Sequence, residues 1–190
     1  LNNLINKDKS AYLSTGYSGQ NDFLAGKSAM IEGSSVSMAF MQLNGINFFI
    51  GFGPVPVRDT QRNIISGTNV AIFKNKDKMV EKAAWEFVKW FTEAKQTAKW
   101  SSLTYYMPVR KSAFEEPILK KRLESNPEIK AVYNQLNYAT FEPQLKVWYK
   151  ARKYLEEHVL EKVLRQDITP KEALQVAKQK VKELLQEEQN

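Results

Sequence analysis

The stretch Met30–Phe40, MIEGSSVSMAF, runs an apolar, strand-like segment into Gly33 and then sets three hydroxyls, Ser34, Ser35 and Ser37, where the next element begins. With the elements around it, this step belongs to an order that reads as mixed α/β followed by helices. The serines have two readings here. Ser34 or Ser35 can accept a hydrogen bond from an orphan N–H at the start of a helix. Serine hydroxyls beside free N–H groups also suit an anion or a polyol.

Upstream, GYSGQNDFLAG reads as a turn at Ser18-Gly19 and a brief helix ending at Gly26, followed by a strand over Ser28 to Glu32. The helix after Gly33 begins near Ser35. Downstream, Asn47–Val57, NFFIGFGPVPV, is an apolar, β-favouring run broken by Gly51, Gly53, Pro54 and Pro56, which predicts a strand that leaves its sheet as an extended segment. DTQRNIISG reads as a loop, and TNVAIF as a second short buried strand.

After Lys74 the period changes. Met79, Val80, Ala83, Ala84, Phe87, Val88 and Phe91 recur every three or four residues with charges between them, an amphipathic helix with Asp77 as N-cap. Helices follow over Gln96 to Leu103, Pro117 to Glu124 and Pro127 to Leu136, with TYYMPVRKSAF as an irregular interruption. Leu145, Trp148, Arg152, Leu155, Val159 and Val163 mark one face of a long helix. The last helix opens with Thr169 as N-cap, Pro170 at the first helical position and Glu172 three residues after the cap. Its buried stripe is Ala173, Leu174, Ala177, Val181, Leu184 and Leu185.

The chain has 190 residues, enough for one good core and few for two complete domains. Without cysteine it has no disulfide, thiolate metal ligand or cysteine nucleophile. No run of eighteen apolar residues occurs. The opening LNNLINKDKSAYL lacks the basic and apolar regions of a signal peptide and reads as the tail of a helix that starts upstream. A formal charge of +7 raises the question of nucleic acid, but the basic residues are mostly lysines scattered among glutamates. Phosphate recognition uses clustered basic residues with arginine prominent, so a solvated surface is the reading.

Catalytic signatures are missing. The one histidine, His158, lies in the charged helix LEEHVLEK, which predicts an exposed side chain. Adjacent carboxylates such as Glu115-Glu116 and Glu156-Glu157 do not face one another on a helix. No glycine-rich phosphate loop occurs. The expectation is no enzyme, no cofactor and no metal. What stands out instead is aromatic and amide-bearing sequence in loops: Tyr105 and Tyr106 beside Pro108, and Gly67, Thr68 and Asn69 ahead of a strand. Trp148 and Arg152 stand one turn apart on one helix face. Flat aromatic faces with hydroxyl, amide and guanidinium groups suit a sugar. Trp85, Trp90 and Trp100 fit a helix core.

In this order FLAGKSAMIEGSS, SGTNVAIF, KAAWEFVKWFT, YYMPVRKSA and TPKEAL resemble the carboxyl-terminal half of the extracellular solute-binding proteins of bacterial ABC sugar importers. The likeness is greatest to the glycerol-3-phosphate-binding branch and more distant to the maltose-binding proteins. It covers nearly all of the chain from Tyr17. The resemblance implies an α/β, periplasmic-binding-protein-like fold of two lobes with ligand in the cleft between them, here a partial chain with most of the second lobe and a helical segment of the first. It implies second-lobe structure over 1–57, a crossover with first-lobe strand and helices over 58–104, and a return to the second lobe over 105–190.

It further implies an extracytoplasmic protein that captures a carbohydrate and delivers it to an ABC transporter permease. Glycerol phosphate or a glycerophosphodiester is the alternative ligand. The whole protein is expected to be monomeric, to reach the membrane only through a lipid anchor in a preceding part, and to have no nucleic-acid partner. Carried over residue by residue, the ligand contacts are Ser34 or Ser35, Gly67, Asn69, Tyr106, Trp148 as the stacking ring and Arg152 as a polar neighbour. The glycine that precedes the tyrosine in the family's motif is Tyr105 here. Two readings compete with this one. The C-terminal helices could be a protein-interaction module anchored by aromatic residues, and a sugar-hydrolysing enzyme would need two facing carboxylates.

Overall fold

The computed structural model describes residues 2–14, 17–57 and 59–189. The chain divides into two compact units, Gly16–Thr140 and a second made of Leu1–Thr15 with Phe141–Asn190.

The first unit opens with two short helices, α1 (Ser18–Leu24) and α2 (Ser37–Leu43). α1 ends where Gly26 takes φ 70°, while the Lys27 N–H reaches back to the Asp22 carbonyl and the Gly26 N–H to that of Phe23. A left-handed residue closing a helix in this way favours glycine, which has no Cβ to clash. No strand forms over Ser28 to Glu32, 47–57 or 68–73 among the described residues. The two strands are β1 (Asn63–Ile65), inside the stretch read as a loop, and β2 (Ala139–Phe141), which pair with each other. β propensity measures fit to a pleated, half-buried surface, and a strand also needs a neighbour for its backbone groups. Within 47–57 the Val55 N–H finds a side-chain partner instead, donating to the side-chain oxygen of buried Gln135, 3.3 Å away. The segment TNVAIF is exposed throughout rather than buried.

α3 (Lys78–Phe91) begins as expected, with the Asp77 carboxylate accepting from the Met79 N–H at 2.8 Å. Its apolar period is intact, yet none of its residues is buried. Trp85, Trp90 and Trp100 are 53%, 48% and 46% exposed, which corrects their assignment to a helix core. Periodicity identifies the apolar side of a helix but says nothing of what covers it. The core of the unit lies elsewhere. α4 (Ala94–Thr104), α5 (Pro117–Ser125) and α6 (Pro127–Asn134) pack in sequence, with a 3₁₀ turn over Lys111–Glu115 between α4 and α5. Ala98, Leu119, Ile129 and Tyr133 from these helices join Phe23, Met38 and Met41 from the first two.

In the second unit a π-helical turn over Asn3–Lys7 is tied to the C-terminal part of the chain by Asn6, whose side-chain amide donates to the Leu164 carbonyl at 2.9 Å. α7 (Trp148–Tyr154) runs through a second π turn, Leu155–Leu160, into α8 (Glu161–Leu164). A π turn adds a residue to the helical repeat and so rotates the faces that follow. The buried positions are accordingly Ala151, Val159 and Leu164 rather than a continuous line ending at Val163. Gln166, at φ 65°, closes the run, with the Asp167 N–H bonded to the Lys162 carbonyl and the Gln166 N–H to that of Val163. α9 (Pro170–Gln189) then starts at the expected capping box: Glu172 accepts from both the N–H and the hydroxyl of Thr169, at 2.8 Å each. Both hydrogen bonds hold the Glu172 carboxyl below the ordinary glutamate range. Ala173 and Leu184 are buried on α9 as the stripe predicts, but Leu174 is exposed.

Candidate functional site

In the first unit the three loop motifs converge through specific hydrogen bonds. The Ser35 hydroxyl donates to the Tyr105 carbonyl at 2.9 Å, fastening the turn after Gly33 to the loop after α4. The hydroxyls of Thr68 and Tyr106 lie 3.3 Å apart, fastening the Gly67–Asn69 loop to the same place. Residues separated by as much as seventy positions thus meet around two adjacent tyrosines.

Only one of the serines bonds an N–H at the entry of α2 among the described residues. Val36 occupies the N-cap position with no side-chain bond to the helix, Ser35 is committed to Tyr105, and Ser34 accepts only the Val36 N–H at 3.4 Å. Ser37 accepts from the side-chain amide of Gln20 at 2.8 Å. Capping thus involves Ser34 at most, through the long bond from the Val36 N–H, while Ser35 and Ser37 are engaged elsewhere. Ser34, Gly67 and Asn69 are exposed, and Gly67 faces open space where a Cβ would stand.

Tyr105 explains how the loop keeps its shape without the family's glycine. It closes α4 in the left-handed region, φ 60° and ψ 9°, with its N–H bonded to the Ser101 carbonyl at 3.0 Å. That conformation costs a residue with a side chain about 1–2 kcal/mol. The ring offsets it: only 4% exposed, it stacks on Phe52 with centroids 6.1 Å apart, and the Arg122 guanidinium lies 4.0 Å above its centre. Behind it, the Tyr133 and Ser101 hydroxyls share a buried hydrogen bond of 2.8 Å. Burial pushes the Tyr133 phenol above its ordinary range, against the opposing effect of that bond. A rigid floor thus supports Tyr106, which is half-buried and whose ring centre lies 6.3 Å from that of Trp100.

Trp148 and Arg152 belong to the second unit. Both bond to one carboxylate: the Trp148 indole N–H donates to one oxygen of Glu142 at 3.1 Å, and the Arg152 guanidinium donates to the other at 3.3 Å. With its edge held, Trp148 has a fixed ring plane. His158 is exposed, its ring 4.9 Å from that of Tyr154. Among the described residues no group of three or more His, Cys, Asp or Glu side chains is arranged to hold a metal ion. A hollow of about 300 Å³ beside α9, lined by residues including Tyr154, Gln175 and Glu183, contains none of the candidate contacts.

Thr68 and Glu142 are absent from the sequence-derived set. Thr68 lies between two residues of that set, so its neighbours were the available signal. Glu142 stands six residues before Trp148 and ten before Arg152, on no helical repeat. It meets both because the chain turns through Pro143, whose carbonyl accepts from the Leu145 N–H at 2.9 Å.

The family described as bacterial extracellular solute-binding protein matches residues 4–131. UgpB from Mycobacterium tuberculosis, solved in complex with glycerophosphocholine, superposes with a TM-score of 0.85 over all of this chain and 48% of its own, at 21% identity. A cyclic α-maltosyl-1,6-maltose-binding protein from Arthrobacter globiformis gives 0.66 over 79% of this chain and 39% of its own, at 24% identity. The chain therefore spans about half the length of these solved proteins or less, and the likeness shows a periplasmic-binding-protein-like fold in a partial chain. No curated protein sequence matches it.

Proposed function

Because the chain belongs to the bacterial extracellular solute-binding proteins, which act outside the cytoplasm, we propose that it captures a carbohydrate and hands it to the permease of an ABC importer. The observation that carries this reading is the convergence on Tyr105 and Tyr106 of two distant loops, through Ser35 and Thr68. Hydroxyl and aromatic groups tied together by hydrogen bonds, one to backbone and one between side chains, are preorganised for a polyhydroxylated solute. Exposed Ser34 and Asn69, together with Tyr106, supply polar contacts, and Gly67 lets a solute approach the backbone. In the second unit Trp148 supplies a stacking face and Arg152 donors for hydroxyl oxygens. A set of this kind rejects a solute that lacks the matching hydroxyl, since its own groups are then left unpaired.

By the resemblance, residues 58–104 carry a crossover and first-lobe elements between second-lobe segments 1–57 and 105–190. Capture then follows from closure of two lobes, stabilised by contacts that the open form does not make. The whole protein works as a monomer that carries its cargo to the membrane.

Glycerol phosphate or a glycerophosphodiester is the second reading, favoured by the glycerophosphocholine bound to UgpB. A thermal-shift panel on the protein with both lobes separates the two. A ligand present at a hundred times its Kd adds about 2.7 kcal/mol to stability. A shift with mono- or oligosaccharides supports the carbohydrate reading, a shift with phosphate esters alone replaces it, and no shift with either class overturns both.

A further inference from the structure

We infer that Glu142 sets the ligand charge accepted beside Trp148 and Arg152, making this a subsite for an uncharged vicinal diol and unfavourable to a phosphate monoester. The inference rests on the solute-capture reading above. Its ground is the shared carboxylate. One oxygen of Glu142 takes the Trp148 indole N–H at 3.1 Å, and the other takes an Arg152 N–H at 3.3 Å. Arg152 therefore offers its guanidinium paired with an opposite charge. The two side chains remain open to a solute, 45% exposed for Arg152 and 31% for Glu142. Further along the same helical run, Lys153 is paired with Glu157 at 3.5 Å.

A guanidinium has five N–H donors and no acceptor, and an ionised carboxylate accepts only. A hydroxyl does both. One hydroxyl of a diol can accept from a remaining Arg152 donor while its neighbour donates to Glu142, with the carbon skeleton against the Trp148 ring. An ionised phosphate accepts everywhere and donates nowhere. Placed on Arg152, it meets the carboxylate as a like charge and leaves that carboxylate without a donor from the ligand. The indole bond adds direction: with its N–H committed to Glu142, Trp148 presents ring face rather than a hydrogen-bond donor. Glu142 is thus a positioning residue for Trp148 and a selectivity residue for the solute.

The test is titration calorimetry on the protein with both lobes, wild type beside Glu142→Gln and Glu142→Asp, with maltose, methyl phosphate and inorganic phosphate as probes. Expected is a wild type that binds maltose at least about tenfold tighter than either phosphate. Glu142→Gln should reduce that ratio by at least about tenfold, through weaker maltose binding together with stronger phosphate binding. Glu142→Asp, which keeps the charge, should retain the preference for the neutral probe even where affinity falls. Equal loss for all probes in Glu142→Gln would show a merely structural carboxylate and overturn the inference while leaving solute capture intact. A wild type that prefers methyl phosphate overturns it as well, and leaves capture standing with the second ligand class. Absence of binding by wild type to every probe removes this subsite and counts against the carbohydrate reading with it.

Discussion

The hydroxyl of Ser35 donates to the carbonyl of Tyr105 across 2.9 Å of space and seventy positions of sequence, so the turn after Gly33 and the end of α4 are one structural feature. The same bond explains why a serine follows Ser34 here, since the first hydroxyl is exposed and the second is anchored. Removing it leaves the Tyr105 carbonyl without that donor. Ser35→Ala should lower stability by about 1 kcal/mol, the usual net worth of such a bond, measured by urea unfolding. It should also weaken solute binding, because the loop bearing Tyr106 loses a tether. Unchanged stability and unchanged affinity would separate the two loops.

Tyr105 combines a strained backbone with a buried ring, and the two can be taken apart. Tyr105→Ala loses the ring and keeps the strain, with an expected cost of about 3–5 kcal/mol, as for other buried aromatics cut to alanine. Tyr105→Gly loses the ring but relaxes the left-handed conformation, so it should be more stable than the alanine variant by about 1 kcal/mol. Equilibrium denaturation of both variants gives the order, and alanine above glycine would contradict the strain.

Tyr133 has a phenol raised by burial. In the unfolded chain it ionises in the ordinary tyrosine range, while in the folded protein it stays neutral to higher pH. The unfolded state then binds fewer protons than the native one, and stability falls as pH rises through that range. Tyr133→Phe removes this contribution. Its stability should decline less steeply than that of wild type at alkaline pH, followed by thermal unfolding across a pH series.

The capping box of α9 gives the opposite slope. Glu172 is depressed by its bonds to the Thr169 N–H and hydroxyl. Its contribution is therefore present above the ordinary glutamate range and disappears as pH falls through the lowered folded value. Glu172→Gln should be less stable than wild type at neutral pH, with the difference closing in acid. Thr169→Ala, which removes the partner hydroxyl, should cost about 1 kcal/mol. Circular dichroism melts at several pH values read both effects.

Trp148→Ala should weaken solute binding at least about tenfold, or roughly 1.4 kcal/mol, while leaving the fold of α7 in place, since the core residue of that helix is Ala151. Calorimetric titration checks it, and unchanged affinity would remove Trp148 from the site.

Much of the local structure was legible in the residues. Asp77 ahead of an apolar period, Pro170 after Thr169, and Gly26 after a short helix each encode an end of an element within a few positions, because capping and left-handed turns are local chemistry. The five motifs in order identified the family for the same reason, since a motif is a short run of neighbours. Legibility stopped where the outcome depended on a partner in space. TNVAIF has the residues of a buried strand and lies exposed, because a strand is defined by the chain beside it. The tryptophans of α3 and α4 have core spacing and half-exposed rings, because period marks a face without supplying its cover.

The candidate site divides in the same way. Sequence was enough to mark Ser34, Ser35, Gly67, Asn69, Tyr106, Trp148 and Arg152 as residues of suitable chemistry in loops and on one helix face. Tertiary structure alone decided that Ser35 serves as a tether, that Thr68 reaches Tyr106, that Tyr105 takes a glycine's conformation under the guard of Phe52 and Arg122, and that Glu142 joins Trp148 to Arg152. Hydrogen bonds and ring contacts act over a few ångströms, and which side chains come that close is settled by packing across tens of residues rather than by spacing along the chain.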